Sequence, residues 1–116
     1  MSSLSKLADE RRQRIAHMKA QMENYSFTQY KKDIAEGRNP DDLGFVEKKW
    51  FMAVFERDTG VRSKVANEYY KIHLDCNSLE ERDFAGELYF RIKGVQSRYE
   101  EEQKKNAQVL EGAGKA

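Results

Sequence analysis

The sequence predicts an all-α domain of about five helices, and three observations support this class. The chain has 116 residues, 35% charged and 39% hydrophobic, which is enough apolar material for one core and too little for two. One proline and seven glycines leave few breaks between elements. Apolar residues recur at spacings of three and four along most of the chain. We expect a charged N-terminal helix in residues 1–25, a helical core in 26–99, and a charged helix end with a flexible tail in 100–116.

The first predicted helix is long and charged, from about Leu4 to Asn24. It is rich in Arg, Lys, Gln, Glu, Ala and Met, which all favour helix. Its apolar positions follow a spacing close to the heptad repeat of a coiled coil, but Arg11 interrupts the series once. The coiled-coil signal is therefore weak. The apolar positions are Leu4, Ala8, Ile15, Met18 and Met22.

A second short helix is predicted from Phe27 to about Glu36. Ser26 and Gln29 form a capping-box pattern at its start, and Gly37 is placed to end it. The sequence leaves open whether the first two helices merge at Ser26. The following residues 38–42 contain the only proline and predict a turn.

The third predicted helix, from about Leu43 to Asp58, contains six consecutive apolar residues, Trp50 to Phe55. A short buried strand is the alternative, but no second strand signal offers it a partner, and Gly60 is placed to end a helix. A helix that is apolar on every side must be covered by other elements. We therefore expect both Trp50 and Phe55 to be buried.

Two more helices complete the predicted fold. The fourth extends from about Arg62 to Asp75. It has one apolar face, composed of Val61, Val65, Tyr69, Ile72 and Cys76. The fifth, from Leu79 to Tyr99, begins at a second capping box. It contains Gly86 and Gly94, each of which lowers helix stability by about 1 kcal/mol relative to alanine. Residues 112–116 should be disordered.

The chain contains no arrangement of residues that predicts an enzyme. Phosphate-binding loops, nucleophile elbows and calcium loops are absent from the sequence. His73 and Cys76 share a helix face, but zinc needs three or four ligands and His17 lies in another segment. We therefore predict no catalytic residue, no metal and no cofactor, and we expect Cys76 to be a small buried apolar residue.

Charge and cysteine content indicate an intracellular protein. The net charge of +1 gives no global attraction to nucleic acid or to anionic membranes. A single cysteine is typical of the reducing cytoplasm. The first residues do not resemble a secretion signal. The longest apolar run is far shorter than the roughly 20 residues that span a bilayer.

The leading hypothesis is a non-enzymatic interaction protein, such as an adaptor, an assembly factor or a structural subunit. Its long N-terminal helix would dock on another protein or on its own copy, as in an oligomer built through a coiled coil. Methionine suits adaptable contact surfaces, and this helix contains two of them on its seam. The predicted protein-binding residues are Leu4, Ile15, Met18 and Met22.

The alternative hypothesis is a small nucleic-acid-binding regulator of the helix-turn-helix type. Residues 55–67 read as a helix, a tight turn at Gly60 and a second helix, whose first turns would meet base edges in the major groove. The contacting residues would be Arg62, Ser63, Lys64 and Asn67. An ordinary αα-corner in a helical bundle is the competing interpretation, and two features favour it over a helix-turn-helix. Glu56 occupies a position that usually has a small residue, and Val65 and Tyr69 lie one place off the usual apolar pattern.

Overall fold

The computed structural model describes residues 3–114, with side-chain exposure for residues 5–107. The elements over these residues are α1 (Ser3–Ala35), a 3₁₀ helix (Pro40–Asp42), β1 (Val46–Glu47), α2 (Lys48–Thr59), α3 (Ser63–Asp75), β2 (Leu79–Phe84), β3 (Glu87–Ile92) and α4 (Val95–Gly114). The strands form one antiparallel sheet in the order β1-β3-β2. The predicted all-α bundle of five helices is therefore wrong, because the described part is a mixed domain of four α-helices and a small sheet.

The segment predicted as the fifth helix is instead the β2–β3 hairpin followed by the start of α4. Ala85 and Gly86 form its two-residue turn with φ of 52° and 87°, and Phe84 pairs with Glu87 across it. Positive φ at both central residues gives the turn that matches the twist of the flanking strands. The Asp83 carboxylate accepts a hydrogen bond from the Gly86 N–H at 2.9 Å. Gly86 is thus a turn residue rather than a tolerated helix glycine.

The first two predicted helices are one continuous helix, α1. Ser26 does not cap a new helix, because its hydroxyl donates to the carbonyl of Gly44 at 2.7 Å and accepts from the N–H of Ile92 at 3.3 Å. Gly37 ends α1 as predicted, with φ of 73° just beyond Ala35. Ser26, which the sequence indicated as a possible helix start, therefore joins one long helix to the loop before β1 and to β3.

The helix predicted from Leu43 begins at Lys48, because the preceding residues form a loop and β1. Phe55 is fully buried as predicted, but Trp50 is 48% exposed. The prediction that this helix is covered on every side is wrong, since its Trp50 side faces solvent. The Trp50 ring meets Tyr25 of α1 edge-on, with 5.2 Å between ring centroids.

The fourth predicted helix agrees with α3 to within one residue at its start, but its buried face is rotated. The buried side chains of α3 are Ala66, Tyr69, Tyr70 and His73. Val65, which the sequence placed on the apolar face, is 38% exposed. Cys76 is also exposed, so its predicted burial is wrong.

The core lies where α1, α2, α3 and the sheet meet. Its largest fully buried side chains are Met18 and Met22 from α1, Phe51 and Phe55 from α2, and Phe90 from β3. The Phe90 ring lies edge-on to Phe51, with 5.1 Å between centroids. Burying rings of this size contributes much of a small domain's stability. This shared core fixes α2 and α3 relative to the hairpin.

The ends of the chain form the two long helices. The first turns of α4 pack beside the second half of α1, where Arg98 lies over the ring of Phe27 and Tyr30 lies beside Tyr99. Residues 115–116 of the predicted flexible tail lie outside the described residues, and α4 extends to Gly114. None of the helices within residues 3–114 combines the length and the apolar character needed to cross a bilayer.

Candidate nucleic-acid interface

The turn between α2 and α3 is fixed by local hydrogen bonds. Gly60 adopts a left-handed conformation with φ of 74°, and its N–H donates to the carbonyl of Glu56 at 2.8 Å. The Thr59 hydroxyl donates to the carbonyl of Phe55 at 2.6 Å and accepts from the N–H of Val61 at 3.2 Å. Val61 is buried, so the turn is anchored to the core. This local sequence therefore builds a tight, hydrogen-bonded turn between α2 and α3.

The two sequence features that opposed a helix-turn-helix have structural explanations. Glu56 is exposed and accepts a hydrogen bond from the Ser63 hydroxyl at 2.9 Å, so its size does not obstruct the approach of the helices. The small residue that faces inward is Ala66, which is fully buried. Ala66 points inward and Val65 does not. The apolar pattern after Gly60 looks displaced in the sequence because Val65 is taken there as an inward-facing residue.

The four residues predicted for base contacts lie together on the first two turns of α3. Arg62, Ser63, Lys64 and Asn67 are all exposed. The Asn67 amide donates to the carbonyl of Ser63 at 2.9 Å, which orients it along the helix. The structure therefore presents two cations and two polar side chains at the start of α3. This is the composition expected at the start of a recognition helix.

A groove of about 420 Å³ extends this surface toward α2 and the hairpin. Its lining includes Lys48, Lys49 and Met52 of α2, Ser63 and Asn67 of α3, and Leu88 of β3. The hairpin stays beside the start of α2 because β1 pairs with β3 and continues directly into α2. Sequence reasoning missed the two lysines and the hairpin. The adjacent lysines were visible, but their place beside α3 depends on β1.

The charge on this surface is uneven. Lys48 and Lys49 line the groove from the start of α2, and two further cations, Arg62 and Lys64, are exposed at the start of α3, which follows the end of α2. Two carboxylates also line the groove, those of Glu56 on α2 and Glu87 on the hairpin. Phosphates would therefore be attracted to the four cations rather than to these two carboxylates.

A partly buried polar contact joins α3 to the hairpin. The Tyr70 hydroxyl donates to a Glu81 carboxylate oxygen at 2.7 Å. Burial, and then the hydrogen bond to Glu81, raise the pKa of Tyr70 well above its usual range. Lys48 lies over the same ring, with its Nζ 4.3 Å from the centroid. This cluster holds α2, α3 and β2 in one arrangement beside the groove.

The residues predicted for protein binding are not gathered on one open surface. The Leu4 side chain lies outside the described side chains, and Ile15 packs against the edge of the core. Met18 and Met22 are fully buried by the chain itself, so in this conformation neither is available to a partner. His73 of α3 lies with its Nε2 2.8 Å from the carbonyl oxygen of Ile15, which holds this part of α1 on the core.

No His, Cys, Asp or Glu side chains within the described residues form a group of three that could hold a metal ion. No protein-family model, curated protein or solved structure matches the chain. The geometry of this surface is therefore the basis on which we infer a function.

Proposed function

We propose that this chain binds double-stranded DNA through its helix-turn-helix, with the first turns of α3 in the major groove. The observation that carries the proposal is the shared surface formed by the start of α2, the start of α3 and the hairpin. A helix-turn-helix followed by an antiparallel hairpin, in the sheet order β1-β3-β2, is a winged helix arrangement. In helix-turn-helix proteins the second helix reads base edges while the first crosses the backbone.

The side chains on this surface suit that geometry. Arg62 can offer two parallel donors to a guanine edge or to a phosphate, and Asn67 can pair with an adenine edge. Lys49 lies exposed in the first turn of α2, where the helix N-terminus also favours an anion. Because the net charge of the chain is only +1, the attraction is local, and the affinity should depend steeply on salt.

The test is a salt titration of a labelled random-sequence duplex of about two helical turns, followed by fluorescence anisotropy. We expect the logarithm of the binding constant to fall linearly with the logarithm of salt between about 50 and 200 mM. Lys64→Ala should weaken binding and reduce the slope by about 1, as expected for one lost phosphate contact. Lys104→Ala, an exposed lysine on α4, removes the same charge outside the surface and should leave the slope unchanged.

Two results would contradict the proposal. The first is an absence of salt-dependent binding to duplex DNA by the intact chain. The second is an equal loss of slope in Lys64→Ala and Lys104→Ala, because only a non-specific charge effect acts on both sites alike.

A second candidate function concerns the N-terminal arm, which we define as residues 6–14 of α1. Most side chains of this arm are exposed, including Leu7 at 59%. A helical stretch of this length gains most of its stability from packing, which the described core does not provide here. We infer that the arm docks on a second copy of the chain, which would present two α3 helices to adjacent half-sites.

Sedimentation equilibrium tests this inference directly. The intact chain should be a dimer, and Leu7→Asp should be a monomer that still unfolds cooperatively, because Leu7 lies outside the core. Lys6→Asp introduces a carboxylate at the neighbouring exposed residue, with a larger change in charge, and should remain largely dimeric. A monomeric intact chain, or a dimer that Leu7→Asp leaves intact, would exclude docking through the arm.

A further inference from the structure

An aromatic cleft of about 520 Å³ lies between the second half of α1, β1 and the start of α2. Three of its side chains are the rings of Tyr25, Trp50 and Tyr89, which come from α1, α2 and β3. Pockets that bind small molecules have volumes of about 300–1,000 Å³ and are lined by aromatic groups with a few polar ones. The size and the lining of this cleft are in that class.

The exposed tryptophan is the first feature that points to a ligand. Trp50 is 48% exposed although it is the largest apolar side chain of α2. Its edge-on contact with Tyr25, at an interplanar angle of 77°, holds it at the cleft without burying it. Tyr25 is in turn held by Phe51 in the core, with 6.0 Å between their centroids. A ring held rigidly and left half exposed is suited to stack on another planar group.

The charge of the cleft is the second feature. Lys32 and Arg38 line it, against the carboxylate of Glu47. The Nε of Arg38 lies 3.6 Å from a carboxylate oxygen of the buried Asp33, while the Arg38 side chain is still largely exposed. The Nε side of the guanidinium faces Asp33, and the guanidinium has further N–H donors on its two terminal nitrogens. The cleft therefore combines aromatic rings with an excess of cationic donors.

We propose that this cleft binds a planar aromatic anion. The ring of the ligand stacks against Trp50 and Tyr25, and its anionic group is bound by Lys32 and Arg38. None of these four residues belongs to the proposed DNA surface on α3, so this binding activity goes beyond DNA binding and does not depend on it.

Trp50 is the single tryptophan of the chain, which makes the experiment direct. It gives one indole N–H cross-peak in a ¹⁵N–¹H spectrum of the intact protein, and 2-naphthoate serves as the probe. We expect a saturable shift of this peak, with a dissociation constant of about 1 mM or below. The neutral 2-naphthamide and the non-aromatic cyclohexanecarboxylate should each bind about tenfold more weakly. Equal binding of all three compounds would overturn the proposal.

A pair of adjacent lysines supplies a matched control. Lys32→Gln should weaken binding of 2-naphthoate about tenfold and leave binding of 2-naphthamide unchanged. Lys31→Gln removes the same charge one residue away, where Nζ lies 4.5 Å from the centroid of Phe27 outside the cleft, and should have no effect. Equal effects of the two variants would overturn the proposal. Saturation by oligo(dT) without saturation by 2-naphthoate would also overturn it, and would indicate a surface for single-stranded nucleic acid.

Discussion

Gly44 offers the sharpest test of how α1 is joined to the rest of the fold. Its N–H donates to a carboxylate oxygen of Asp33 at 2.9 Å, and its carbonyl accepts from the Ser26 hydroxyl. Both partners are buried on α1. Gly44 itself has φ of 82°, in the left-handed region that glycine adopts at little cost. This residue sets the path of the chain into β1 and α2.

The expected cost of Gly44→Ala has two parts. An added Cβ would lie 3.1 Å from Cδ2 of Tyr30 and 3.2 Å from the carbonyl oxygen of Ser26. Overpacking of this kind costs about 1–3 kcal/mol, and the left-handed conformation costs alanine about 1–2 kcal/mol. Alanine also restricts the unfolded chain, which offsets about 0.4–1 kcal/mol. The free energy of unfolding should therefore fall by about 2–4 kcal/mol.

Gly37→Ala is the matched control, because Gly37 has φ of 73° but no atom within 4 Å of the added Cβ. Gly37→Ala has only the conformational cost, so its free energy of unfolding should fall by about 1 kcal/mol. Urea unfolding followed by circular dichroism measures both variants, with unchanged slopes showing that the midpoints report stability. Equal decreases in the free energy of unfolding would refute the reasoning. They would mean that Tyr30 and Ser26 on α1 move aside for the new methyl group of Gly44→Ala at no energetic cost.

Two further predictions concern single side chains. Trp50→Ala should lower the free energy of unfolding by about 1 kcal/mol, the contribution of an exposed aromatic pair. In the same urea assay, Phe51→Ala at the neighbouring buried position should lower it by about 3–5 kcal/mol. An equal loss at both positions would show that Trp50 is part of the core. Burial, followed by the nearby Lys19, lowers the pKa of His73 below its value near 6.5 in the unfolded chain, despite its hydrogen bond with Ile15. The stability that neutral His73 contributes is complete above about pH 6.5 and is lost as the pH falls toward the folded pKa. The free energy of unfolding should therefore fall more for wild type than for His73→Gln between pH 7.5 and 5.5. Parallel pH profiles would contradict this prediction.

The helical part of the fold was largely predictable because its signals are local. Gly37 and Gly60 end helices at the positions where the sequence placed their ends, and α3 was located to within one residue. The pattern could not show that Ser26 sits inside a helix, because its hydrogen-bond partner Ile92 is 66 residues away. Helix ends are decided within a few residues of sequence, but the use of a buried hydroxyl is decided by tertiary packing.

The sheet was missed for a different reason. Its strands contain many charged residues, such as Glu80 and Arg91, which form an ion pair at 2.8 Å across β2 and β3. A pair of this kind supports a strand only when its partner is in place, so it gives no signal along the chain. β1 has two residues and pairs Val46 with Phe90, a contact between distant parts of the sequence. The hairpin side of the proposed DNA surface could therefore not be predicted from the sequence, although its four α3 residues were.

The seam on α1 shows why one spacing supports two interpretations. Apolar residues three and four apart suit both a helix that packs on its own domain and a helix that packs on a partner, and the sequence does not distinguish them. The structure divides the helix, with Met18 and Met22 in the core and the N-terminal arm outside it.

Two truncations separate these roles. Deletion through Asn24 removes two fully buried methionines, each of which contributes about 2–5 kcal/mol to stability. That loss is comparable to the whole stability of a small domain, so cooperative unfolding should be abolished. Deletion through Arg14 removes only the arm and should leave a cooperative transition with near-ultraviolet dichroism intact. If the shorter deletion also yields a molten product, then the arm stabilises the core, and self-association cannot be its only role.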